Sequence, residues 1–215
     1  MEQTTQEDRA YQRLRQLILQ GKLPKGEFLS QRKLAAKASV AVITARGALR
    51  RLENDGLIQS VPRWGVRVPV ETREDVRDRY FMREVLEVAA VRHMALGWTP
   101  EQAAKLRAMA RDCDACRGTS DEDIDRFSRL HHDLHLFIAE CAGSRRLLDS
   151  LTRLFTIGFM QTNARRGWAR GRDRGANHHR AFAKAILSGD ADRAEQAMRE
   201  HVARGLKYEL EMFDE

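Results

Sequence analysis

Residues 41–70 read AVITARGALRRLENDGLIQSVPRWGVRVPV, and a change of period inside this stretch decides the fold. Up to Asn54 the apolar residues Ala45, Ala48, Leu49 and Leu52 recur at steps of three and four, the spacing of one helix face. Asn54-Asp55-Gly56 stops that helix. From Leu57 the pattern is extended: Leu57 to Val61, the tight basic turn Pro62-Arg63-Trp64-Gly65, then Val66 to Val70. Two short apolar runs joined by such a turn predict a β-hairpin.

Upstream, Tyr11, Leu14 and Ile18 predict a first helix from about Gln6 to Gln20, ended by Gly21. Pro24-Lys25-Gly26 makes a turn, and Ser30 caps a short second helix carrying Leu34, Ala35 and Ala38. Three helices and a hairpin within ~70 residues have the outline of a winged helix-turn-helix, which lays its third helix in the DNA major groove. Arg46 and Arg50 are four apart on that helix, on a face other than the one holding Ala45, Ala48 and Leu52. Arg32 on the second helix and Arg63 at the wing tip extend the same positive surface. Gly65 lets the wing backbone approach a phosphate or base edge.

Charge supports this placement. Residues 1–72 hold 13 basic and 7 acidic side chains, whereas the other 143 hold 25 and 24, so the net +7 of the chain is concentrated in the first third. That is where a polyanion is expected to bind. Cys113, Cys116 and Cys141 are too few and odd in number for a disulfide framework, which points to a reducing compartment. The first eight residues are polar and acidic, and no stretch approaches the length of an uncharged membrane span. A cytoplasmic protein without a membrane partner is expected.

The hairpin pattern does not return after Thr72. Helices are predicted at about 74–96, 100–117, 121–142, 145–169, 177–188 and 191–213, with a basic loop at Arg170–Gly175. Thr99-Pro100-Glu101-Gln102 and Ser120 with Asp123 carry helix-start chemistry. The predicted fold is mostly α: a DNA-binding winged helix-turn-helix at 1–72, then an all-α antiparallel bundle of about six helices at 73–215 that binds effector and metal and dimerises.

The head resembles the GntR family of transcriptional regulators. The resemblance runs through Ile18 to Gly26, Leu34-Ala35, Val40, Arg46 to Glu53, Gly56-Leu57-Ile58 and Gly65. It implies operator contacts by Arg32, Arg46 and the wing turn. The entry to the third helix departs from the family pattern, with Ala41-Val42-Ile43-Thr44 in place of a capped basic entry and Gly47 in place of Glu. A lost side-chain cap costs ~1 kcal/mol and an internal Gly up to ~1 more, so this helix is expected to be less rigid before it meets DNA. Val42 also removes one bidentate guanine contact, and the operator is expected to differ from the family's common ones.

Four of the seven histidines fall where helices can bring them together. On the stripe Ile124, Phe127, His131, Leu134, Ile138, Cys141, His131 points inward and His135 lies one turn above it, while His132 and Asp133 are rotated toward solvent. Gly189-Asp190 joins two antiparallel helices. His179 lies ten residues before that turn and His201 eleven after it, so both sit about 15 Å from it. His178 is the neighbouring candidate. Four imidazoles in one layer, His131, His135, His179 and His201, can hold a divalent ion, Zn²⁺ foremost, with Ni²⁺ or Cu²⁺ also suited.

Residues 76–207 resemble the FCD ligand-sensing domain of the FadR-type branch of that family, through Arg83 to Glu87, His135 to Gly143, His179, Ala185-Ile186, Gly189-Asp190, Ala194 and His201. The resemblance implies a divalent metal on one Asp and three His beside a small carboxylate. His135, His179 and His201 match three of these ligands, and His131 stands where the Asp is usual. Arg83 is the candidate second anchor for a carboxylate effector.

The alternative from another class is a metal-dependent hydrolase using the same histidines. His132-Asp133 is the dipeptide of HD-type phosphohydrolases, but no His-Glu-x-x-His, phosphate loop or Ser-His-Asp order accompanies it. Cys113-Asp114-Ala115-Cys116 lacks a second Cys pair at ligand spacing and reads as small helix residues. No catalytic residue is assigned. The expected protein is a homodimeric, effector-responsive regulator, most simply a repressor, of double-stranded operator DNA.

Overall fold

The structure, a computed structural model, describes residues 5–118, 120–155 and 178–213. The chain folds as two compact units, Met1–Glu71 and Thr72–Glu215.

In the first unit, α1 (Gln6–Leu19) starts at a reciprocal capping box between Thr5 and Asp8. Helix α2 (Gln31–Ala38) is capped by the Ser30 hydroxyl, which accepts from the Lys33 N–H. Helix α3 (Val42–Asn54) begins at Ala41 with no side-chain cap hydrogen bond. Strands β1 (Gln59–Val61) and β2 (Gly65–Arg67) pair antiparallel with Ser60 opposite Val66. They are shorter than the apolar runs because Leu57 and Ile58 turn into the core beside Leu14, Leu34, Leu49 and Leu52. Leu29 exchanges both backbone hydrogen bonds with Val66, at 2.7 and 2.9 Å, and so extends the wing's pairing across from β1.

Arg51, which follows Arg50, belongs to the scaffold. It pairs with Asp8 at 2.6 Å and lies over the Tyr11 ring, whose hydroxyl donates to Asp55. A Cβ built at Gly47 would overlap the Glu7 carboxylate of α1, so the glycine in α3 is matched by an acidic neighbour lying across it.

The second unit contains, among the described residues, helices α4 (Arg73–Leu96), α5 (Pro100–Ala115), α6 (Asp121–Cys141), α7 (Arg145–Leu154), α8 (His178–Ile186) and α9 (Ala191–Leu210), then a 3-10 turn at Glu211–Phe213. Thr72 with Asp75, Thr99 with Gln102 and Ser120 with Asp123 form capping boxes, and Asp190 caps α9. Val91, Met94, Leu106, Leu134, Ile138, Leu151, Ile186 and Met198 fill one core. Helices α4 and α9 are further tied by Arg79–Glu209 at 2.5 Å, by Arg92 to Asp192 and Glu195 at 2.6 Å, and by Arg199–Glu84.

The helix predicted at 145–169 does not run through its middle: it ends at Leu154, and Phe155 leaves the helical region with ψ 85°. Its buried ring packs against His132 and His135 and under the Arg83 guanidinium, and this tertiary contact overrides the local apolar pattern. The remainder of that prediction and the basic loop at 170–175 lie outside the described residues. Among the described residues no helix is long and apolar enough to cross a membrane.

Candidate metal centre and nucleic-acid interface

Helical spacing puts His131 and His135 one turn apart on α6, and α9 brings His201 against them. Their Nε2 atoms form a triangle with edges of 3.1, 3.1 and 3.0 Å. These three are the group whose donor atoms all lie within 4.8 Å of one another among the described residues. His179, at the start of α8, stands beside the group, with its ring centroid 5.1 Å from that of His131 and 5.8 Å from that of His201. The fourth predicted ligand therefore shares the layer but is not a vertex of the triangle.

Each ring is held from behind. His135 Nδ1 and Glu87 Oε2, both buried, face each other and have no other hydrogen-bond partner. The other Glu87 oxygen accepts from Arg83 Nε at 2.9 Å. Burial alone would raise the Glu87 carboxyl, but His135 and Arg83 outweigh it and hold it below the ordinary range. His179 Nδ1 meets Asp114 Oδ1 at 2.8 Å, and the backbone N–H groups of His179 and Arg180 donate to the same carboxylate at 3.0 Å. Burial of Asp114 is likewise outweighed by these donors, which pull it down to about 2. Phe127 stacks on His131 and Phe182 on His201.

Burial, followed by repulsion from the neighbouring rings, drives His131 and His201 well below 6.5 and His178 down to about 4, so these imidazoles are neutral. Arg204 can only donate, and it reaches His178 Nδ1 at 2.7 Å. This assigns the His178 proton to Nε2, which points at His201 Nδ1 2.9 Å away. The His201 proton then lies on Nε2, inside the triangle. His135, with its Nδ1 proton on Glu87, offers a single Nε2 lone pair to two neighbouring nitrogens. Protons satisfy this arrangement poorly. A cation that accepts an Nε2 lone pair from each of the three rings, displacing the His201 proton, suits the triangle better, so the donor set fits a borderline divalent metal.

Arg83 is buried, bound to Glu87 and sandwiched between the Tyr80 and Phe155 rings, each centroid 4.7 Å away. The candidate carboxylate anchor named from sequence is thus engaged with Glu87 through its Nε. His132 is not turned to solvent as expected. Its side chain is 12% exposed and packs on Phe155, while Asp133 is 62% exposed, and neither joins the triangle. Cys113 and Cys116 are both buried, and burial pushes Cys113 up to about 12, far from a reactive thiolate. Sequence reasoning passed over Glu87 and Asp114, the two carboxylates that orient the rings.

In the head, Arg32, Arg46, Arg50 and Arg63 are all exposed. Arg46 Nε donates to Gln31 Oε1 at 3.2 Å, which links α2 and α3 on the surface. Ile43 (72% exposed) and Val42 (36%) stand exposed at the entry of α3. Arg63 adopts φ 69° in the wing turn, and Trp64 beside it is 69% exposed with its ring tilted against Phe28. Gly65 has φ 106°, and a Cβ there would lie 2.6 Å from the Leu29 carbonyl oxygen. The close approach that this glycine permits is to the chain's own backbone.

Residues 6–68 match the family described as bacterial regulatory proteins, gntR family, and residues 78–204 match the FCD domain. The chain is 27% identical over 194 residues to an uncharacterized HTH-type transcriptional regulator in an unstable DNA locus of Streptomyces ambofaciens, covering 89% of this chain and 80% of that one. It is 26% identical over 205 residues to the HTH-type transcriptional repressor GlaR of Escherichia coli (strain K12), covering 89% and 90%. The solved structure of E. coli McbR/YncC superposes with a TM-score of 0.74 over 99% of this chain and 100% of that one; at 16% identity this likeness concerns the fold.

Proposed function

Because this chain belongs to the gntR family of bacterial transcriptional regulators and carries an FCD domain, we propose that it is a cytoplasmic, homodimeric repressor whose hold on operator DNA is set by a small carboxylate bound at a divalent metal. The observation that carries the metal reading is the triangle of three Nε2 atoms at 3.0–3.1 Å, backed by Glu87. His131, His135 and His201 hold the ion, with His179 as the adjacent fourth donor. When bound, the metal supplies a concentrated positive charge to which an anionic effector is drawn.

The remaining work falls to this chain's side chains. Glu87 and Asp114 fix ring orientation from behind. Arg83, engaged with Glu87 through its Nε, is the second anchor for the carboxylate. In the head, Arg46 and Arg50 read the major groove, Arg32 and Arg63 hold phosphates, and the wing turn shaped by Gly65 presents Arg63. Val42 and Ile43 suit thymine methyl groups rather than guanine edges. Support for the homodimer is an apolar strip on α4, where Phe81 is 67%, Val85 51% and Met82 43% exposed.

A native mass spectrum of the full chain, paired with footprinting on its own promoter region, tests this reading. The expected result is a dimer with one divalent ion per chain and a footprint lost in Arg46→Ala. Absence of bound metal, or equal loading in His135→Ala/His201→Ala, removes the sensor assignment. An unchanged footprint in Arg46→Ala removes α3 from the interface.

A further inference from the structure

At α5 and α8 lies a cleft of about 460 Å³ that none of the triangle histidines lines. Its rim carries Arg107 and Arg111 from α5, Arg180 and Lys184 from α8, and Arg193 from α9, with the Ser188 hydroxyl among them. All five cations are exposed, and no Asp or Glu is among the residues that line the cleft. Ala110 and Ala183, both buried, are among the apolar lining residues.

The arrangement works against the stability of its own helices. Arg107 and Arg111 are four apart on one helix, as are Arg180 and Lys184 on the other, and like charges at this spacing repel. The two pairs line the same cleft, so the repulsions add. Ordinary surface design alternates signs, and this chain does so elsewhere, with Glu195 and Arg199 four apart on α9. Among the described residues Arg107, Arg111, Lys184 and Arg193 have no ion-pair partner; Arg180 alone has one, its Nε lying 3.4 Å from Asp114 Oδ2.

We propose that this cleft is a binding site for a small phosphorylated anion, separate from the metal site. Guanidinium forks match phosphoryl oxygens, and several cations around one small volume match a group that carries two or more charges on adjacent oxygens. The finite volume and apolar lining favour a metabolite over a nucleic-acid backbone, which needs an open track. The site borders the sensor, because Asp114 contacts Arg180 on the cleft side and His179 on the other.

Inorganic pyrophosphate, titrated calorimetrically into the full chain, is the probe. One saturable site per chain is expected, at least tenfold weaker in Arg107→Gln/Lys184→Gln and unchanged in Arg46→Gln/Arg50→Gln. Both cleft residues are exposed on helices and Gln is a good helix former, so circular dichroism should show the variant folded, with melting unchanged or higher as the repulsion is relieved. Pyrophosphate could instead draw on a metal at the histidines or on the DNA-reading head. The first would leave the signal intact in the cleft variant and the second would abolish it in the head variant, and either result overturns the proposal. Displacement of pyrophosphate by random duplex DNA in the Arg46→Gln/Arg50→Gln protein would reassign the cleft to nucleic acid and overturn it equally.

Discussion

His179 and Asp114, 65 residues apart in sequence, meet twice: the His179 backbone N–H and its ring Nδ1 both reach Asp114 Oδ1, at 3.0 and 2.8 Å. The carboxylate thus does two jobs, satisfying the free N–H groups at the start of α8 and fixing the tautomer and rotation of the ring. Asp114→Asn keeps the size but puts an amide donor or a weaker acceptor there. Metal affinity, measured by chelator competition, should fall by about 10- to 100-fold, the range for lost ligand-orienting partners. Unchanged affinity would mean that His179 takes no part in the site.

Helix positions and three vertices of the triangle were legible because both depend on local spacing. His131 and His135 share a face by helical geometry, and His201 is placed by counting from the Gly189 turn. The two orienting carboxylates were not legible, since their partners come from helices far along the chain. A signal existed for Glu87: it lies with Arg83 on the stripe of Tyr80, Val91 and Met94, and a charged pair on an apolar face needs a buried partner. Asp114 was obscured by the flanking cysteines, with which it was read as part of a run of small helix residues. The end of α7 was missed because Phe155 answers to the Arg83 guanidinium on α4 and to two rings on α6 rather than to its sequence neighbours.

Glu87 is the common partner of Arg83 and His135, and all three are buried. Glu87→Ala leaves the guanidinium without its counter-charge in the core. A loss of about 3–5 kcal/mol is expected from breaking a buried pair on one side, read as a lower midpoint in urea unfolding. The double variant Glu87→Leu/Arg83→Met should recover part of it, because no uncompensated charge remains. Failure of the second change to recover any stability would argue that packing of the two stems, not charge, sets the loss.

Arg204 donates to His178 Nδ1 and so favours the tautomer that leaves a proton on His201 Nε2. Metal binding has to displace that proton. Arg204→Met keeps the stem and removes the donor. A net hydrogen bond of ~1 kcal/mol corresponds to roughly fivefold, so the variant should bind Zn²⁺ about fivefold more tightly. Weaker binding would show that Arg204 supports the ligand arrangement instead of opposing it.

Gly65 combines φ 106° with the 2.6 Å approach of a would-be Cβ to the Leu29 carbonyl. Gly65→Ala therefore meets both strain and backbone that cannot yield without breaking the Leu29–Val66 pairing. About 1–3 kcal/mol of destabilisation is expected in the head, seen as faster amide exchange at Leu29 and Val66. Exchange left unchanged would mean that the wing relaxes elsewhere at little cost.

The depressed histidines fix the direction of the pH response of the metal-free protein. His131 and His201 lie well below 6.5 and His178 at about 4 in the folded chain, whereas the unfolded chain takes up these protons near 6.5. Between these limits the unfolded state binds more protons, so folding stability is fully present above about pH 6.5 and declines as pH falls toward 4. Asp114, held down to about 2, does not titrate in this window. Thermal melts of chelator-dialysed protein should therefore drop steadily from about pH 7 to about pH 4.5, and added Zn²⁺ should shift the drop to lower pH by keeping the imidazoles neutral. A flat melting temperature across the same range would mean that the three rings are already open to protonation in the folded state, and with it the closed triangle would fall.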